Sequence, residues 1–159
     1  MKAAPLTPEA GRPAPPFSLP SDQGDTVTLA SLRGKPVVLY FYPKDDTSGC
    51  TTQACEFRDR WQDVESRGAV VLGISPDGLR SHEKFRRKFQ LPFPLLADED
   101  HSVAEAYGVW GEKSMFGHRY QGILRTTFLI APDGTIARVF HKVKPEGHAA
   151  EVLAALDDL

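Results

Sequence analysis

The stretch "VVLYFY", Val37 to Tyr42, runs six residues without one charged or amide side chain. A strand with a wet face alternates apolar and polar residues, whereas an uninterrupted run of β-branched and aromatic residues suits a strand covered on both faces. Pro43 stops it, because proline has no N–H for a sheet ladder. A second run of the same kind, "AVVLGIS", covers Ala69 to Ser75. Between the two lies a periodic segment, about Ser48 to Arg67, that predicts a helix. Two doubly buried strands joined through a helix need a crossover connection, which constrains the chain to an α/β architecture.

The remaining segments extend that pattern. A basic amphipathic helix is predicted over about Leu79 to Phe89, with "KFRRKF" as its solvated side and Phe85 and Phe89 buried. A shorter helix is expected near Val103 to Tyr107. Trp110, Met115 and Phe116 fall in a Gly-flanked loop that could wall a site or simply pack. "TTFLIAPDGTIARVF" is a hairpin with Pro132, Asp133 and Gly134 as its turn, and a last helix is expected near Gly147 to Leu156. Residues 1–16, rich in Pro and Ala, are expected to form an extended arm. "FSLPSDQGDTVTLASLRGKP" after it suggests short strands and turns. The expectation is one α/β domain over residues 17–159, since a chain of 159 residues can bury a sufficient core without staples.

Charge and composition exclude several functions. The formal net charge is -2, so no global field draws the chain to nucleic acid or an anionic membrane. No apolar run approaches a bilayer span, and "MKAAPLTPEAGRPAPPF" lacks the apolar core of a secretory signal, so a cytoplasmic protein is expected. No Asn occurs anywhere, which removes N-glycosylation acceptors. The five His residues form no zinc-type spacing, because Arg86 stands where a His-Glu-x-x-His motif starting at His82 would need its second His. Glycine-rich phosphate loops are absent as well.

Both cysteines of the chain lie at the front of the first predicted helix, Cys50 and Cys55. In a reducing compartment such a pair points to chemistry or metal binding more than to a structural bridge. At 100° per residue, Ala54, Phe57, Trp61 and Val64 share the face of Cys50, while Cys55 lies about 140° away. Cα atoms five apart on an ideal helix are about 8.6 Å apart, and a disulfide wants less than about 7 Å. The two thiols are therefore either independent or a redox switch coupled to unwinding of the helix. Cys50 occupies the first turn, with Thr47 or Ser48 as its N-cap, where free N–H groups and the helix dipole favour a thiolate. A further positive charge is needed beside it, and Arg125, opening "RTTFLI", is the candidate.

These residues carry a resemblance. Pro43, Thr47 and Cys50 in "PKDDTSGC" match the Pro-x-x-x-Thr-x-x-Cys motif of peroxiredoxins. "GCTTQACEFRD" with "WGEKSMFG" and "GILRTTFLI" is similar to their Q-type branch, the bacterioferritin comigratory protein group. The similarity runs from about Phe17 to the C-terminus. It departs from the pattern at Ser48, where this branch usually has Pro. The resemblance implies a thioredoxin-like fold, a central mixed sheet flanked by helices with peroxiredoxin N-terminal strand additions. It also implies reduction of hydrogen peroxide and organic hydroperoxides with no metal or organic cofactor.

The roles implied by the family are as follows. Cys50 attacks the peroxide and becomes a sulfenic acid. Arg125 and Thr47 hold thiolate and peroxide, and Pro43 shapes and dries the pocket. Cys55 resolves the sulfenic acid as an intramolecular disulfide, and a dithiol reductant such as thioredoxin restores both thiols. A monomer is expected. The competing reading is a non-enzymatic redox sensor switched by the same two cysteines, which would react once per molecule instead of turning over. A thioredoxin-type disulfide reductase is disfavoured, because that chemistry uses Cys-x-x-Cys.

Overall fold

A computed structural model describes residues 7–159 of the chain. The core is a five-stranded mixed sheet in the order β5-β4-β3-β8-β9, built from Leu95–Ala97, Val70–Ser75, Val37–Phe41, Thr126–Ile130 and Ile136–Phe140. As predicted, β3 is buried at every position and takes the centre. It runs parallel to β4, with Val37 facing Val70, and antiparallel to β8, with Phe41 facing Thr126. The alternate residues of β3 feed two cores. Val38 and Tyr40 join Cys50, Ala54 and Phe57 on one face. Val37, Leu39 and Phe41 join Leu72, Tyr107 and Phe128 on the other.

Helices α1 (Ser48–Asp59), α2 (Trp61–Ser66), α3 (Leu79–Phe89), α4 (Ser102–Ala106) and α5 (His148–Leu156) cover the sheet. This is the thioredoxin-like fold, with the added N-terminal hairpin of β1 (Ser18–Pro20) and β2 (Thr26–Thr28). Of the expected N-terminal arm, residues 1–6 lie outside the described residues. Its later part docks on the hairpin turn: Gly11 N–H donates to the Ile136 carbonyl at 2.7 Å and Ala14 N–H to Gly134 at 3.0 Å. No helix among the described residues is long and apolar enough to cross a membrane.

Three details differ from the sequence expectation. The single helix expected over 48–67 is two helices, because the backbone opens at Arg60 to φ -109° and ψ 22°. Asp59 and Arg60 are exposed and bring no apolar surface to the core, so packing does not hold that turn helical. The expected loop around Trp110, Met115 and Phe116 is a hairpin of β6 (Trp110–Met115) and β7 (His118–Ile123). Its strands are largely exposed on both faces, so no alternation betrays them, and its turn places Phe116 at φ 50° and Gly117 at φ 79°. Finally, β5 adds a third parallel strand, too short and too proline-flanked to be legible as one.

Candidate active site

The site forms where β3 ends and α1 begins. Tyr42 still pairs with β4 through its N–H to the Ile74 carbonyl at 3.0 Å, after which the chain leaves the sheet. Thr47, extended at φ -92° and ψ 157°, is the N-cap of α1. The first helical bond runs from Thr51 N–H to the Thr47 carbonyl at 2.8 Å. The N–H groups of Ser48, Gly49 and Cys50 therefore have no partner within the helix, and no acidic residue stands in the first turn. Positive dipole ends converge on Cys50 as a result.

The Thr47 side chain does not cap the helix. Its hydroxyl donates instead to the Lys44 carbonyl at 2.9 Å, which spends its proton and leaves its lone pairs open. Ser48, the other cap candidate, sits one residue inside the helix.

Cys50 is almost completely buried, at 1% exposure. Arg125 directly precedes β8, and the register that sets Thr126 against Phe41 carries it to the start of α1. Its Nη2 donates to Cys50 Sγ at 3.3 Å, while Nη1 donates to Gln53 Oε1 at 2.6 Å. A Cβ on Gly49 would stand 3.3 Å from Arg125 Nη2, so the missing side chain lets the guanidinium lie close over the helix start. The structure thus brings Cys50, Arg125, Thr47 and Pro43 to one end of the sheet. Pro43 and Thr47 line a cleft whose other wall includes Trp110, Lys113 and Tyr120 of the β6–β7 hairpin.

Cys55 lies elsewhere. It is half-buried on α1 and, like Cys50, a free thiol. Burial pushes its pKa up, against the pull of the Arg58 guanidinium. The two cysteines thus differ in environment: Cys50 is buried with a cation hydrogen-bonded to its sulfur, whereas Cys55 is half-buried with a raised pKa.

Two residues near Cys50 escaped the sequence reading. Gln53 is 1% exposed, three positions after Cys50, and it aims Arg125. A polar residue about 60° from an apolar helical stripe was the available signal. Lys113, on the hairpin mistaken for a loop, folds inward and donates to the Ile123 carbonyl at 2.8 Å. Burial and the neighbouring Arg125 push its pKa down, with Cys50 opposing. Tyr40, whose buried hydroxyl has no partner among the described residues, is held un-ionised chiefly by burial and secondly by Cys50.

The chain as a whole resembles known proteins. Residues 10–139 match the model of the AhpC/TSA family. A relative from Coxiella burnetii is 53% identical over 148 residues, covering 93% of this chain and 98% of its own length. The peroxiredoxin Bcp of Bacillus subtilis is 48% identical over 154 residues, covering 97% and 98%. A solved structure of Xanthomonas campestris peroxiredoxin Q superposes with a TM-score of 0.87 at 37% identity over 98% of each chain. A structure of the bacterioferritin comigratory protein from the same organism, studied for its alkyl peroxide reduction activity, gives 0.85 at 40% identity over 89% of this chain and 90% of that one. The chain belongs to the AhpC/TSA family and, within it, to the Bcp or Q-type peroxiredoxins, which are thiol peroxidases.

Proposed function

We propose that the enzyme reduces hydrogen peroxide and organic hydroperoxides through Cys50, that Cys55 resolves the oxidised sulfur, and that thioredoxin returns the electrons. The contact that carries this reading is the 3.3 Å hydrogen bond from Arg125 to Cys50 Sγ at an uncapped helix start. An unperturbed thiol is only a few per cent ionised at neutral pH. A guanidinium and three free N–H groups favour the anion, and thiolate is the nucleophile.

The first step transfers oxygen. The Cys50 thiolate attacks the terminal peroxide oxygen, an S–O bond forms as the O–O bond breaks, and the leaving alkoxide or hydroxide takes up a proton. Negative charge moves from sulfur to the departing oxygen, so donors fixed on both ends stabilise the transition state more than the ground state. In this reading Arg125 holds both, a role its hydrogen bond to Cys50 Sγ supports. With its proton committed to Lys44, the Thr47 hydroxyl is left to accept from the peroxide O–H. Pro43, without an N–H, walls the site.

In the second step the Cys55 thiolate attacks the sulfenic sulfur. An S–S bond forms, the S–O bond breaks, and hydroxide leaves as water. The two cysteines share a continuous helix in the resting protein, so this step requires the first turns of α1 to unwind. A dithiol then reduces the disulfide by exchange and is itself oxidised. In this reading the enzyme works as a cytoplasmic monomer, with residues 17–159 as its one domain.

The test is mass spectrometry after one equivalent of peroxide, with a Cys50–Cys55 link within one chain expected. Cys50→Ser should abolish turnover with thioredoxin present. Wild-type turnover in that variant would end the proposal.

A further inference from the structure

The loop that leads into α1 is tied down at one residue, Asp45. Its Oδ1 accepts from the Tyr42 hydroxyl at 2.6 Å, and its Oδ2 accepts from the Ser81 hydroxyl at 2.8 Å. The same Oδ2 lies 2.7 Å from His82 Nδ1. Its backbone N–H donates to Asp77 Oδ2 at 2.8 Å, and that oxygen also accepts from the Ser75 hydroxyl at 2.6 Å. His82 is fully buried, and its Nε2 donates to the Leu96 carbonyl at 2.9 Å.

Proton counting makes this a closed knot. A carbonyl only accepts, so Nε2 must carry a proton, and the Nδ1 contact holds a second proton shared with the carboxylate. Asp45, Asp77 and His82 converge, and both Asp45 carboxylate oxygens, both His82 ring nitrogens and Asp77 Oδ2 are engaged with one another or with neighbouring hydroxyl and backbone groups. A buried pair of this kind costs too much to be left half-made, so removing one partner should loosen the whole knot. It joins the end of β3, the end of β4, α3 and β5 to the active-site loop.

One residue later the character of the chain changes. Asp46 turns through φ 58° and is held by an exposed ion pair with Lys88 Nζ at 2.8 Å, a surface contact of small weight, and the side chains of Thr47 and Ser48 are exposed. No side chain caps the helix that follows. A rigid anchor thus meets a weakly held helix start within two residues, at the edge of the segment that must unwind.

We propose that His82 is a positioning residue of the peroxidase: through Asp45 it anchors the loop that carries Pro43 and Thr47, so that unwinding of α1 from Ser48 onward stops short of the cleft they line. This rests on the resolving disulfide proposed above. Two consequences of opposite sign follow from it. Loosening the knot should misplace Thr47 and the helix start, which slows attack on peroxide. It should also populate the unwound state, which speeds disulfide formation.

The test is stopped-flow fluorescence of the two oxidation phases in His82→Gln, whose single amide cannot serve both Leu96 and Asp45. The peroxide phase should slow about tenfold, and the resolving phase should accelerate several-fold. Ile136→Ala, in the core on the opposite face, serves as the stability control and should move neither phase in this opposed way. Unchanged phases, or phases that shift together, would overturn the proposal. Hydrogen exchange in the wild-type protein is independent of whether the variant folds. The Asp45 amide should stay protected in both the reduced and the disulfide forms, while the Thr51 amide loses protection in the latter. Loss of both together would show that the knot is no boundary. If the wild-type chain forms no Cys50–Cys55 link at all, the proposed function itself falls; if it does and His82→Gln behaves as wild type, only the anchor falls.

Discussion

Arg125 Nη1 donates to Gln53 Oε1 at 2.6 Å, which aims the other arm of the same guanidinium at Cys50. Gln53 rides on the helix that unwinds in the proposed disulfide step, so losing the first turns of α1 would also release the cation from its guide. Peroxide chemistry and the folded state of α1 are thereby tied through one planar group.

Removing the guide should matter less than removing the cation. Arg125→Ala should lower the second-order rate constant with peroxide by about 10² to 10³, the scale of a lost transition-state donor. Gln53→Ala should lower it about tenfold, as a positioning defect of about 1.4 kcal/mol. In the double variant the second change should add almost nothing, because Gln53 acts through Arg125. Fully multiplicative losses in stopped-flow measurements would mean that Gln53 has a role of its own.

The two thiols should separate by pH. Burial disfavours the Cys55 anion, so in Cys50→Ser the remaining thiol should react with iodoacetamide along a profile displaced to higher pH than a free cysteine. Disulfide formation after peroxide treatment should still be possible in the wild type, because unwinding exposes Cys55 to water and relieves that penalty. A Cys50→Ser profile matching free cysteine would contradict the desolvated environment.

Gly73 marks a close approach that a sequence shows only as a glycine inside an apolar strand. It faces Tyr40 in the β3–β4 register, and a Cβ there would come within 2.9 Å of both the Tyr40 hydroxyl and Leu95 Cδ2. Gly73→Ala should cost about 1 to 3 kcal/mol by overpacking, read from urea unfolding. Because Tyr40 shares the Cys50 core, the peroxide phase should slow as well. Unchanged stability would mean that Tyr40 moves aside freely.

The elements legible in the sequence were those whose burial leaves a period or a run. Strand β3, strand β4, helix α3 and the β8–β9 hairpin were visible because a doubly covered strand or a one-sided helix admits few other patterns. The β6–β7 hairpin was not, since Glu112, Ser114 and Tyr120 answer to solvent and to a cleft instead of to a core. The same asymmetry holds at the site. Pro43, Thr47 and Cys50 lie in one contiguous segment, and Arg125 opens a legible strand. Asp45 and His82 are separated by 37 residues and meet only because β4 and α3 fold back on the loop, so no local pattern could pair them.

His148 supplies a pH dependence that its surroundings fix in sign. It is fully buried at the start of α5, packed edge-on against Phe57 and Phe140, with Nε2 2.8 Å from the Thr127 hydroxyl and Nδ1 3.2 Å from Glu151. A neutral ring satisfies both contacts, donating to the carboxylate and accepting from the hydroxyl. Burial pushes its pKa down, against the opposing pull of Glu151 and Glu56 and with a smaller push from Arg125. Below the ordinary histidine value of about 6.5, the unfolded chain therefore binds a proton that the folded chain refuses. This contribution is complete above that value and is lost as pH falls from it through the depressed folded value, at no more than about 1.4 kcal/mol per pH unit for one proton. His148→Gln retains a donor and an acceptor but cannot titrate. Its urea midpoint should fall less than that of the wild type between pH 7.5 and pH 5.5, and parallel losses in the two proteins would show that His148 takes up its proton without unfolding.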